Sequence, residues 1–236
     1  GGGINNGGSA VIRNCEFSGN AGAEGGAISS DGTLDVESSL FYNNTAHREG
    51  NPSGGGGAIA SGGVVTLTNS TFVSNYTTFM GGAINNDGKL TVTNCSFSYN
   101  TSGMGGGAIN TTSNLTLRNS IIANSMWSES CQDWEGGTIY DGGGNLRWPK
   151  TDKTCVGDFG DPRLEPLENN GGPTMTMALP IGSAAEQLAT TNCPATDQRG
   201  MPRGLQSNRC DAGAYEIQRN ELEGLFVFFP AVFKSP

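Results

Sequence analysis

The chain holds one histidine, His47, in 236 residues. Zinc sites that rely on imidazole and histidine-dependent nucleophile triads therefore lack their parts. Charge is scarce as well: 15% of residues are charged, and 13 Lys+Arg stand against 22 Asp+Glu. A net charge of −9 excludes a polyanionic partner such as nucleic acid. Long apolar runs are missing too. The longest, "LFVFFPAVF" from Leu225 to Phe233, falls far short of the ~20 residues a spanning helix needs, so no membrane span is expected. No secretory leader is visible. The opening "GGGINNGG" lies partway through a repeat and reads as a mature or trimmed form.

What the chain has in excess is glycine. Its 38 Gly are more than twice the usual share of about 7%, which disfavours helix. Isoleucines at Ile4, Ile28, Ile59, Ile84 and Ile109 follow glycine-rich starts at spacings of 24, 31, 25 and 25 residues. After each start comes an apolar-x-apolar-x-Asn/Ser-x-x-Phe/Ile-x-x-Asn/Ser pattern. Leu90, Val92, Asn94, Phe97 and Asn100 form one copy, and Leu34, Val36, Ser38, Phe41 and Asn44 another. Short alternating segments with a period in the mid-twenties predict one solenoid turn per repeat. The expected fold is all-β, a right-handed parallel β-helix of about five regular rungs plus irregular, disulfide-pinned C-terminal coils. Charge concentrates after Ser125: residues 1–125 carry only four of the 13 basic and seven of the 22 acidic groups. This places regular rungs over 1–125, a C-terminal extension or cap over 126–216, and an apolar strand-like tail over 217–236.

Stacked at about 4.8 Å, each rung sets equivalent residues over one another. Phe17, Phe41, Phe72 and Phe97 are expected to form one ladder. Asn14, Asn69, Asn94 and Asn119 form another, with amides bonded to the next rung and to turn carbonyls. The inward residues are thus spent on structure, and function must come from outer faces, the insertion, the ends or the second half.

The outward strand positions offer one carboxylate pair, Asp35 with Glu37, which reads as a solvated strand edge. An outward array of Thr66, Thr68, Thr91, Thr93 and Thr116, of the sort ice-binding solenoids use, is interrupted by arginine and short. His47 lies in the inserted loop Thr45–Gly55, a contact surface if any. Asn43, Asn69, Asn75, Asn94, Asn100, Asn110 and Asn114 match the N-x-Ser/Thr pattern, mostly at ladder positions where a glycan does not fit. No catalytic residue, metal ligand or cofactor is assigned. Cys15 and Cys95 share a rung position three rungs apart, roughly 14 Å at the strand spacing, beyond the ~7 Å a disulfide spans. The other four, Cys131, Cys155, Cys193 and Cys210, permit three pairings; sequential bridges 131–155 and 193–210 would close moderate loops and imply an oxidising compartment.

The second half contains "GDPRLEPLENNGGPT", "TDQRGMPR" and "CDAGAYE". These resemble the C-terminal module of bacterial secreted β-helix proteins of the choice-of-anchor Q domain family. The rungs resemble the repeats of the same family and, more loosely, those of polymorphic outer-membrane proteins. Ala184-Ala185-Glu186 stands where the family has Pro-Ala-Ile-Asp, and Ala212 replaces a bulkier apolar residue. The resemblance implies a secreted or cell-surface location and no particular enzymatic activity. Asp197, Arg199, Arg203, Asp211 and Glu216 read as balanced charges paired within an end cap.

The tail residues Leu225, Phe226, Val227, Phe228, Phe229, Val232 and Phe233 are costly to leave in water. An open rung edge at the amino end offers a place for such a strand. Head-to-tail addition to a neighbouring copy would give filaments. The functional expectation is thus a structural or adhesive solenoid that self-assembles. Its rivals are a carbohydrate-active enzyme, with Asp133, Glu135, Asp141, Asp158 and Asp161 converging near the junction, and a monomeric module that binds surface glycans through the loop.

Overall fold

The structure is a computed structural model that describes residues 1–47, 55–125, 129–204 and 209–218. Among them there is no helix, and the strands form a parallel β-solenoid. Each of the first four coils contributes one strand to each of four sheets, and the fifth to three of them. The fourth coil does so with Ile84–Asn86, Lys89–Thr93, Ser96–Ser98 and Thr101–Ser102.

Equivalent strands stack in register, so Ile4, Ile28, Ile59, Ile84 and Ile109 pair in succession. The 31-residue step from Ile28 to Ile59 leaves that register intact, because its extra residues fall between the fourth-sheet strand Thr45–Ala46 and the next coil. Phe17, Phe41, Phe72 and Phe97 stack with centroids 4.9, 4.6 and 4.7 Å apart and planes within 6°. The spacing of parallel strands sets this separation and brings ring faces into contact without further adjustment.

Two corner columns explain the recurrent polar letters. Asn14, Ser38, Asn69, Asn94 and Asn119 turn the chain from the second sheet to the third with φ of 55, 50, 47, 49 and 48°. Asparagine is among the residues that best tolerate this left-handed conformation. At another corner Gly81 has φ +71°, and a Cβ there would lie 2.1 Å from the Ile84 carbonyl oxygen, so no other residue fits.

The far end of the stack is partly covered: the third sheet gains a further strand, Asp158–Phe159, while the first and second sheets end on strands paired on one side only. A sixth coil of Cys131–Asp133, Thr138–Asp141 and Leu146–Trp148 follows the regular ones. Cys131 is bonded to Cys155, and Cys155 and Val156 enter the main apolar core. Ser130 N and Cys131 N donate to Asp152 Oδ2 and Thr154 Oγ1, which ties the same loop across the strand. At the opposite end the strands Ile4–Asn6, Ser9–Arg13 and Glu16–Ser18 each pair on one side only. There Ile4, Ala10 and Phe17 are only partly buried against the core.

The rest of the second half departs from the expected end cap. Residues 160–204 and 209–218 fold back along the outer side of the third sheet instead of stacking beyond the sixth coil. Ile121, Ala123, Leu146, Leu179, Ala185 and Ala212 form a second core there, with Trp148, Leu164, Leu188, Tyr215 and Ile217 against it. The cause is the outward face of the third sheet. Glu16 and Ser18 are exposed in the first coil, whereas Ile121 and Ala123 occupy the same positions in the fifth and must be covered. Ile217 therefore belongs to the packed module, and its N–H donates to Asp211 Oδ2. The remaining tail, Leu225 to Phe233 included, lies outside the described residues.

Candidate functional site

The charged residues of "TDQRGMPR" and "CDAGAYE" converge where the folded-back module meets the solenoid. Cys193–Cys210 closes this segment into a loop. The Arg203 side chain is fully buried, and its Nη1 donates to Glu216 Oε2 at 2.8 Å. The same guanidinium donates to the carbonyls of Thr196, Asp211 and Gly213, and to Asn69 Oδ1 of the third coil. Asp197 Oδ2 accepts from Arg199 Nη2 at 2.7 Å and from Glu216 N at 3.0 Å, while its Oδ1 accepts from the backbone of Arg199 and Met201. Arg199 also lies over the Tyr215 ring, 3.6 Å from the centroid.

These donors occupy both carboxylate oxygens of Asp197, and Glu216 is likewise held by Arg203, Gly204 N and Asp211 N. Carboxylates so engaged have no proton or lone pair aimed at a substrate. The arrangement is a clamp. Its grip on the rungs uses the corner asparagines: Asn69 Nδ2 donates to Thr196 O, Asn94 Nδ2 to Asp211 O and Asn119 Nδ2 to Thr191 O. Thr71 Oγ1 bonds Gln198 Oε1 at 2.6 Å, and Ser96 Oγ accepts from Ala214 N.

Among the expected ladder residues, then, Asn69, Asn94 and Asn119 face the module. Only Asn119 to Asn94 makes an amide contact along the column, at 3.2 Å. Ser38 interrupts it, and Asn14 is exposed on the first coil. The continuous amide ladder runs through the other asparagine column, Asn20, Asn44, Asn75 and Asn100, with Nδ2 to Oδ1 distances of 2.9 Å at each step. The two columns look alike in sequence. A left-handed corner turns its side chain outward, whereas the second column lies at the start of the fourth-sheet turn, pointing in.

Burial, with the neighbouring Glu216 charge second, pushes the Asp211 carboxyl up from 3.8 to about 6, against bonds from Ile217 N and Gln187 N that favour the anion. Burial is thus the main source of this shift, and the neighbouring Glu216 carboxylate adds to it. A raised carboxyl stabilises the fold below its unfolded value, and that contribution is lost as pH rises through about 6. Urea unfolding between pH 4.5 and 7.5 is expected to show an Asp211-linked decline of up to about 2 kcal/mol with rising pH. Asp211→Asn should remove it; an identical pH profile in the variant would refute the assignment.

The other sequence candidates stay apart. Arg13 pairs with Glu37 at 2.9 Å and lies 3.7 Å from Asp35, all on an exposed face. His47 is exposed, 3.4 Å from Thr78 Oγ1; residues 48–54 of its loop lie outside the described residues. Asp133, Asp141 and Asp158 sit on strands of three different sheets, Glu135 in a turn, and Asp161 beyond them. Among the described residues no three His, Cys, Asp or Glu side chains form a metal-holding group. Cys15 is exposed and Cys95 buried, both free, and burial raises the Cys95 thiol to about 12.

No family model, curated protein or solved structure matches this chain. Its function has to be argued from the ends, the faces and the clamp.

Proposed function

We propose that the chain is an extracellular structural or adhesive β-solenoid of a bacterial surface, which self-assembles with further copies. The observation that carries this reading is that the inward columns and buried charges bind the chain to itself: the phenylalanine and asparagine ladders join successive coils, and the Arg203–Glu216 clamp joins the module to them. The two disulfides fit an oxidising, extracellular setting, and the family resemblance of the second half points the same way.

In the fuller form of the proposal, the apolar tail of one copy, Leu225 to Phe233, adds as a strand to the next copy and builds head-to-tail filaments. Ile217 is part of the folded module, so the cut that tests the tail falls after Gln218. Electron microscopy at micromolar concentration should show filaments from the full chain and single particles from the chain ending at Gln218. Filaments from both would place the joint in the solenoid itself, and single particles from both would remove self-assembly from the proposal.

A further inference from the structure

We infer that the Cys193–Cys210 disulfide is a thiol-accessible latch on the folded-back module, whose reduction loosens the module from the rungs while the solenoid and its own disulfide stay intact. The latch needs neither the tail nor a second copy. The two bridges differ in where their sulfurs sit. Cys131 and Cys155 are 1% and 4% exposed and belong to the main apolar core. Cys193 is half-buried and opens on a surface pocket that Thr191, Arg203, Gly204 and Arg209 also line. Its partner Cys210 is fully buried against the fourth coil, with Asn94 Nδ2 3.7 Å from its Sγ. A thiolate from solvent therefore reaches one sulfur of this bridge and neither of the other.

The place of the bridge in the clamp gives its reduction a consequence. The bridged loop carries Asp197, Arg199 and Arg203, and Asp211 follows Cys210 directly. Cys210 also pairs with Ala189 through two backbone bonds, and close behind it Gly213 N and Ala214 N donate to Asn119 O and Ser96 Oγ of the rungs. The bridge holds both segments of the clamp together over the corner asparagines. In the exchange, one thiolate of a dithiol attacks Cys193 Sγ, the S–S bond breaks, and Cys210 leaves as a thiolate that takes a proton from water. The second thiolate of the dithiol then displaces Cys193 from the mixed disulfide, which leaves two cysteine thiols and an oxidised dithiol. Asn94 Nδ2 and the arginines of the pocket favour the departing thiolate. Cys193 and Cys210 are 17 positions apart, and freeing a loop of that length raises the opening of the module by about a hundredfold. Opening uncovers Ile121 and Ala123, the apolar face beneath.

The test treats the folded full chain, without denaturant, with a graded series of dithiothreitol, then alkylates free thiols and maps them by mass spectrometry. Cys193 and Cys210 should become alkylated at least about tenfold faster than Cys131 and Cys155, whose sulfurs wait on local opening of the core. In a parallel sample reduced to the same point and left unalkylated, amide hydrogen exchange at Gly213 and Ala214 should quicken by about a hundredfold. Exchange at Phe72 and Phe97 in the ladder should stay as it was, and reoxidation should restore the slow rate in the module. Equal reduction rates for the two bridges would overturn the inference. So would unchanged exchange at Gly213 and Ala214 once Cys193–Cys210 is reduced, or an equal rise at Phe72, which marks loosening of the whole chain.

Discussion

Arg203→Leu is expected to destabilise the chain by about 3–5 kcal/mol, the range for removing one partner of a buried ion pair. The loss would come from what remains. Glu216 would keep only backbone donors, Asp197 and Asp211 would lose the nearby positive charge, and Asn69 Oδ1 would lose its donor. Burial itself lowers the affinity of Arg203 for its proton, and the facing Glu216 and Asp197 offset this, so the guanidinium and its acids hold each other in place. Urea unfolding monitored by tryptophan fluorescence measures the effect. The double variant Arg203→Leu/Glu216→Gln should recover part of the loss, since it removes the stranded charge as well. A loss below about 1 kcal/mol for the single variant, the level of an exposed pair, would mean that the clamp does not hold the module to the rungs.

Phe72→Ala should be of similar size, about 3–5 kcal/mol, from lost transfer energy and the cavity left behind. Phe72 is fully buried, with a ring stacked at 4.6 Å on one side and 4.7 Å on the other. Phe17 has a single stacked neighbour and is only partly buried, so Phe17→Ala should cost clearly less. Comparing the two by chemical denaturation measures how far burial and ring contacts together set the cost. Equal costs would contradict this account, because both burial and the number of ring contacts differ between the sites.

The carbohydrate-active reading finds little footing in the same geometry. Asp35 and Glu37 share Arg13 on an open face, and the five junction carboxylates are dispersed over separate strands and turns. Buried charge does converge in the module, but there every oxygen of Asp197 and Glu216 is taken by a donor from the chain itself. Such a network positions backbone segments against the corner asparagines.

The repeat by itself determined the solenoid, the isoleucine column and the phenylalanine ladder. In a stacked fold each rung residue meets its own copy one period away, so spacing in the chain translates directly into contact in space. Only the tertiary structure decided which asparagine column is the ladder. Asn69 and Asn75 sit in similar sequence surroundings, and the left-handed corner at Asn69 turns one outward while the other points in. It also decided where the second half goes. The bonds from Asn69 to Thr196 and from Thr71 to Gln198 each join residues 127 positions apart, between a periodic segment and an aperiodic one, and no period in the chain predicts such a pairing. Ile121 and Ala123 look like ordinary strand residues in the sequence. They become a docking face because the strand alternation that buries Ile122 turns both of them outward, and the fold-back of residues 160–204 and 209–218 is what removes them from water.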